Sequence, residues 1–232
     1  MPPFNGRKIY FIHVGKCGGT SIGKKLKQAG IPFKRLHCFN SNQQIENLIS
    51  NQLDNSFFLI AVRDPINRYI SAFYWDLYEK IIKQEKPPNP EWTEIYTHFQ
   101  NPNSLAEALS SKNGLDRTLA FLALRASKLH MHLDLRWYLP IELAKSLNKT
   151  NCHAIPTEDL NNNVRHFAIN YGIAGKRTGE NISEKSNYKD SIPNYSAELS
   201  ALAKKNLKLE FQENYKILET LNKNKALSYQ YN

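Results

Sequence analysis

Residues 57–62 read Phe-Phe-Leu-Ile-Ala-Val, apolar at every position. A strand with one face in water alternates apolar and polar side chains, because successive side chains point to opposite faces. A run of strand length without that alternation belongs to a strand covered on both sides, and the best place for one is the centre of a parallel sheet. The run stops at Arg63-Asp64-Pro65. Asp64 is a good helix N-cap and Pro65 suits a first helical position, so a helix is predicted from about Pro65 to Lys80. Its apolar face would carry Ile66, Ile70, Phe73 and Leu77.

The preceding segment repeats the unit. Residues 8–14 read as a buried strand with Ile9, Phe11, Ile12 and Val14, and a glycine-rich turn follows it. Residues 20–29 read as a helix with Ile22 and Leu26 on one face, ended by Gly30 and Pro32. Residues 33–39 give a short second strand, and 42–53 a second helix burying Ile45, Leu48, Ile49 and Leu53. Strands alternating with helices predict an α/β fold with a central, mainly parallel sheet. Further on, residues 84–103 read as a long loop or a loop with a short helix, and 104–148 as helical with breaks near Gly114 and Pro140. Residues 152–155 read as a strand, with Thr157 or Asp159 capping the helix after it. Residues 172–195 read as irregular. Residues 196–222 read as one periodic helix burying Leu199, Leu202, Leu207, Phe211, Tyr215 and Leu218. No interdomain linker stands out, so a single domain over 1–232 is expected, with helical insertions in its second half.

The turn after the first strand carries the chemistry. It reads Gly15-Lys16-Cys17-Gly18-Gly19-Thr20-Ser21. A glycine-rich turn that opens a helix presents backbone N–H groups and the positive end of the helix dipole, which together suit a phosphate or sulfate. Gly18 and Gly19 let the backbone approach the anion, Thr20 and Ser21 add hydroxyls, and Lys16 adds a full charge. The Walker A pattern places its lysine after the glycines. Here Lys16 precedes the glycine pair, and no evident Walker B aspartate follows a later strand. The pattern therefore reads as an anion site that needs no metal. Arg63, at the end of the apolar strand, and Ser71, on the next helix, could bind a second phosphate. Arg68 reads as a structural ion pair.

The formal charge of +10 favours an anionic partner. The lysines are dispersed rather than gathered with aromatics on one stretch, which speaks against nucleic acid. Three cysteines, Cys17, Cys38 and Cys152, make neither a disulfide framework nor a zinc pattern and suit a reducing compartment. The first residues lack a signal-peptide core, and no segment is apolar over the ~18–20 residues of a membrane span. The chain thus reads as soluble and cytoplasmic, with no membrane span. The oligomeric state is not legible.

Phe11-Ile-His-Val-Gly-Lys-Cys-Gly-Gly-Thr-Ser-Ile22 resembles the 5′-phosphosulfate loop of sulfotransferases that use 3′-phosphoadenosine 5′-phosphosulfate, and Val62-Arg-Asp-Pro-Ile-Asn-Arg-Tyr-Ile-Ser-Ala-Phe-Tyr74 resembles their 3′-phosphate motif. The carbohydrate sulfotransferase branch is the nearer match, firm over about residues 8–75 and looser beyond. Residues 154–160 and the C-terminal periodic helix also look like the family. The resemblance implies a P-loop-type three-layer αβα fold and a donor of that chemistry as co-substrate. Lys16 would stabilise the leaving phosphate. The turn Gly15, Lys16, Cys17, Gly18, Gly19, Thr20 and Ser21 would hold the 5′-phosphosulfate, and Arg63 and Ser71 the 3′-phosphate. Lys185 and Ser186, within 181–190, would belong to a late loop over the nucleotide. Gly15 departs from the proline usual in the family, which loosens the turn and leaves the anion contacts available.

The acceptor implied is a hydroxyl, of a carbohydrate above all and possibly an acidic one; a lipid-linked sugar, a peptide tyrosine or a small alcohol stay open. A hydroxyl acceptor needs a general base. His37, at the end of the second strand, is the choice, since related carbohydrate enzymes use a histidine or a glutamate; Glu46 and Glu79 are lesser candidates. His13 reads as core. His130, His132, Arg125, Lys128 and Arg136 read either as acceptor contacts or as a solvated helix face. Tyr74, Trp75 and Tyr78 read as core or as stacking partners of adenine or sugar; Trp92, Tyr96 and Trp137 fall where an acceptor could be recognised. A magnesium-dependent P-loop phosphotransferase, or a nucleotide binder without turnover, remains the alternative.

Overall fold

A computed structural model describes residues 6–37, 40–83, 89–170 and 187–228. In chain order the elements are β1 (Lys8–Ile12), α1 (Gly19–Gln28), β2 (Lys34–Leu36), α2 (Ser41–Asn51), β3 (Ser56–Val62), α3 (Pro65–Leu77), α4 (Pro90–His98), α5 (Pro102–Ala108), α6 (Gly114–Arg125), α7 (Leu135–Tyr138), α8 (Ile141–Ala144), β4 (Cys152–Pro156), α9 (Leu160–Asn170), α10 (Ala201–Glu210) and α11 (Gln212–Lys223). One π-helical turn, Tyr78–Ile82, extends α3. They fall into two compact units. Among the described residues, the first gathers those up to Arg63, those from Leu135 to the end of α9, and those from Glu213 on; the second gathers Asp64–Asp134 and the described residues between α9 and Gln212.

The first unit is built on a four-stranded sheet, ordered β2-β1-β3-β4, with every pair parallel. The α/β class expected from the strand–helix alternation is the class found: a central parallel sheet flanked by helices. All seven residues of β3 are buried, Ser56 included, which is what an unbroken apolar run demands of a strand with neighbours on both sides. Register follows: Ile12 of β1 lies opposite Leu36 of β2 and Ile60 of β3, and Ile60 opposite Ala154 of β4. Ile22 and Leu26 of α1 are buried as their four-residue spacing requires. Thr157 is not a helix cap. Its hydroxyl donates to the Val62 carbonyl at 2.9 Å, as does its N–H, tying the end of β4 to the end of β3.

His153 in β4 packs beside Phe167 of α9, with ring centroids 5.1 Å apart. Burial disfavours its imidazolium and lowers its pKa from the ordinary 6.5 to about 4. The unfolded chain therefore takes up a proton near pH 6.5 that the folded chain refuses until about 4. Stability falls as pH falls through that window, by up to on the order of 3 kcal/mol. His153→Gln, which cannot titrate, should show a flatter melting temperature between pH 6.5 and 4; parallel curves for the two proteins would remove His153 as the source of acid sensitivity.

The second unit is helical. Asp64 caps α3 by accepting from the Asn67 N–H at 2.8 Å, with Pro65 at the first position. The helix buries far more than one stripe: Arg68, Tyr69, Ile70, Ala72, Phe73, Tyr74 and Asp76. Ile66 and Leu77 are only half-buried. Arg68 is buried and structural, donating to the carbonyls of His130 and Leu133. The loop expected over 84–103 contains α4 and the start of α5, each opened by an asparagine cap and a proline.

The single helix expected over 196–222 is two. Ser200 caps α10 through the Ala203 N–H and donates to Glu107, and the helix breaks at Phe211. Leu202 and Leu209 are exposed, whereas Asn206 and Glu210 are buried. The inversion has a physical cause. Asn206 donates to the Ala106 carbonyl and to Ser110, and Glu210 pairs in bidentate fashion with Arg125. Polar groups with such partners can be buried, and a hydrophobic pattern does not register them.

Candidate active site

The chain leaves β1 through α1 towards β2 on one side and leaves β3 towards β4 on the other. The connections part at the carboxyl ends of these two neighbouring strands, and in open α/β sheets ligands gather in the crevice at such a switch point. Lys16 follows β1 and Arg63 follows β3. The structure brings them together: the Arg63 guanidinium donates to the Lys16 carbonyl at 3.2 Å.

The turn between β1 and α1 is tight. The Cys17 N–H donates back to the Val14 carbonyl at 3.3 Å, and the Cys17 side chain is buried. Lys16 and Gly18 both take left-handed backbone, with φ of 67° and 65°. Glycine adopts that conformation freely; lysine does so only when held there by its surroundings. The first intrahelical bond of α1 runs from the Ile22 N–H to the Gly18 carbonyl. The N–H groups of Gly19, Thr20 and Ser21 therefore point off the helix end, as helix geometry requires. No acidic residue sits in that first turn, and no side chain among the described residues caps it. A helix end built this way is suited to an external anion.

Beside the turn stands a pair of imidazoles. β1 ends at Ile12, so His13 lies just beyond the strand rather than within it, with its N–H donating to the Leu36 carbonyl at 2.9 Å. Its ring is stacked on that of His37, centroids 4.2 Å apart and planes 14° from parallel. Nδ1 of His37 lies 2.8 Å from the His13 carbonyl oxygen. A carbonyl only accepts, so Nδ1 carries the proton and the neutral ring keeps its lone pair on Nε2. The Tyr138 hydroxyl lies 3.4 Å from the same Nδ1. The His13 ring also crowds Gly19: a Cβ there would fall 1.9 Å from His13 Cδ2. The phosphate-type turn and the histidine chosen as base are thus one ring apart.

Residues 5–219 match the sulfotransferase family. The chain belongs to the sulfotransferase family. No curated protein and no solved structure matches it. It is an enzyme of sulfuryl transfer, and the family implies 3′-phosphoadenosine 5′-phosphosulfate as donor and a hydroxyl as acceptor.

The other residues singled out in this sulfotransferase fall as follows. Ser71 lies half-buried on α3, in the second unit. Lys185 and Ser186 lie outside the described residues, as does Cys38. Tyr74 is core: its hydroxyl donates to the Ser196 carbonyl and accepts from the Ser196 N–H. Trp75 and Tyr78 pack against Tyr188. Trp92 donates to the Ser127 carbonyl and Tyr96 to that of Phe73, while Trp137 packs edge-on against Tyr138. Arg125 is occupied by Glu210. His130 is held by the fully buried Asp76, which accepts from both its N–H and its Nδ1. Within the same stretch, His132 takes a bond from the Lys128 N–H, and the Arg136 N–H donates to Asn214. Glu46 is exposed on α2, and Glu79 faces Lys83. Among the described residues no helix is long and apolar enough to cross a membrane.

His13 and Tyr138 are the site neighbours that sequence reasoning misses. A signal for His13 exists: it stands two residues beyond Phe11, hence on the same face, and parallel pairing of β1 with β2 sets it beside His37. Tyr138 is too remote in sequence for any spacing to reveal it.

Proposed function

We propose that this sulfotransferase moves the sulfuryl group of 3′-phosphoadenosine 5′-phosphosulfate to a carbohydrate hydroxyl, with His37 as general base. The observation that carries this reading is the 2.8 Å contact of His37 Nδ1 with the His13 carbonyl oxygen, which assigns the proton to Nδ1 and the lone pair of the neutral ring to Nε2, with the His13 ring touching both His37 and the Lys16–Gly19 turn. Family membership favours sulfuryl transfer over the phosphotransferase alternative.

The turn fits a phosphosulfate on its own chemistry. It offers backbone donors at Gly19, Thr20 and Ser21, two hydroxyls, a lysine, and no carboxylate in the first helical turn. Gly18, Gly19, Thr20 and Ser21 hold the phosphosulfate oxygens, with Gly15 and Cys17 completing the turn. Lys16 faces the bridging oxygen, where negative charge grows as the sulfur–oxygen bond breaks. Nε2 of His37 takes the acceptor proton as the acceptor oxygen bonds to sulfur. The products are a sulfate ester and 3′-phosphoadenosine 5′-phosphate. Transfer of this kind has a loose transition state, so positioning and charge supply most of the rate, as in phosphoryl transfer. Arg63 takes the 3′-phosphate, a role the resemblance also gives to Ser71, and it gives Lys185 and Ser186 a place over the nucleotide. The net charge of +10 suits an acidic saccharide as acceptor.

Calorimetric titration with 3′-phosphoadenosine 5′-phosphate tests the reading. Wild type should bind with micromolar affinity whether or not EDTA is present. Arg63→Ala should bind about 30- to 100-fold more weakly, the scale of a lost charge-assisted contact to phosphate. Equal affinity in the two proteins would remove Arg63 from the nucleotide site, and a preference for ATP with magnesium would revive the phosphotransferase reading.

A further inference from the structure

We infer that His13 is a positioning residue that fixes the base against the phosphosulfate turn, and that its contribution is exerted through His37. The inference rests on the reading of His37 as base.

Three contacts converge on His13. Its carbonyl oxygen receives the Nδ1 proton of His37 at 2.8 Å and so sets the tautomer. Its ring stacks on His37 at 4.2 Å and 14° and so sets the ring plane. Its Cδ2 and Nε2 crowd Gly19, at the first position of α1, where there is no room for a Cβ. The buried Phe11 also stacks on the His13 ring, at 5.7 Å and 10°, and packs it into the core. His13 is 7% exposed, too enclosed to meet an acceptor itself. The His13 ring thus touches both the turn that holds the donor and the imidazole that accepts the proton. A base whose nitrogen drifts by about 1 Å loses on the order of a hundredfold in rate, because proton transfer and attack share one geometry.

The backbone contact survives any substitution, so side-chain variants isolate the stack. His13→Ala should lower kcat about 30-fold, with KM for the donor and the affinity for 3′-phosphoadenosine 5′-phosphate within about threefold of wild type. His13→Phe keeps an aromatic stack without imidazole chemistry and should recover most of the loss. The deciding measurement is the double variant. If His13 works through the base, then in the His37→Ala background His13→Ala changes kcat by less than about twofold. Losses that multiply in the double variant would overturn the inference, and so would a His13→Ala enzyme with wild-type kcat. A fall in nucleotide affinity that accounts for the whole loss would overturn it as well, by assigning His13 to the turn alone. If His13→Ala does not fold, the same cycle is run with His13→Phe and His13→Gln, where only the former should retain kcat. Failure of the underlying reading looks different: His37→Ala would then keep wild-type turnover while nucleotide binding persists.

Discussion

Lys16→Ala is expected to lower kcat by about 10³-fold while 3′-phosphoadenosine 5′-phosphate still binds within about tenfold of the wild-type affinity. The asymmetry follows from when the charge is needed. Before transfer the bridging oxygen carries little charge; as its bond to sulfur breaks it becomes part of a phosphate dianion, and a cation beside it acts mainly on the transition state. Removal of one such preorganised donor typically costs 10²–10³ in kcat. The rest of the turn survives the substitution. The Arg63 guanidinium contacts Lys16 through the Lys16 carbonyl, which alanine keeps. Alanine tolerates the left-handed φ of 67° no better and no worse than lysine. Single-turnover kinetics with donor preloaded would check this. A loss confined to KM would mean that Lys16 binds the donor without acting on the bond that breaks.

How much of this was legible follows from which residues carry their partners close in sequence. The seven-residue strand β3, the Asp64 cap and the Ile22–Leu26 face of α1 are local, because strand and helix periods are written in the side chains themselves. The turn around Lys16 was legible too, since glycines, hydroxyls and a lysine between strand and helix leave few other uses. The meeting of Lys16 and Arg63 was legible only as an inference from topology; it depends on β1 and β3 being neighbours, which no local pattern states. The structural role of Arg68 was legible, but not its carbonyl partners, which lie more than sixty residues away. The break at Phe211 was missed for the same reason: Asn206 and Glu210 are buried by bonds to α5 and α6, not by their own polarity. His13 read as core from its place in the first hydrophobic run, and it is buried. Its importance lies in what its two edges touch, and only the register of β1 on β2 puts His37 there.

Gly19→Ala is expected to abolish turnover, and to weaken nucleotide binding by 10²-fold or more where the start of α1 is what yields, although alanine is the better helix former at an ordinary helical position. The added Cβ would stand 1.9 Å from His13 Cδ2 and 2.3 Å from Nε2. These atoms belong to a buried ring packed against Phe11 and His37, not to the end of a flexible chain. Either the ring moves, and carries His37 with it, or the start of α1 moves, and the N–H groups of Gly19, Thr20 and Ser21 lose their common aim. Both routes damage the site, and overpacking of this kind typically costs 1–3 kcal/mol of stability in addition. The two routes separate by measurement. If the helix start yields, nucleotide affinity falls with kcat; if the ring yields, affinity holds and kcat alone is lost. Shrinking the obstacle gives the second arm: His13→Ala removes the three atoms nearest to the added methyl, so Gly19→Ala in that background should regain nucleotide binding to within about tenfold of His13→Ala itself. Failure to regain it would locate the need for glycine in the anion's approach to the Gly19 backbone, since the collision with the ring would be gone.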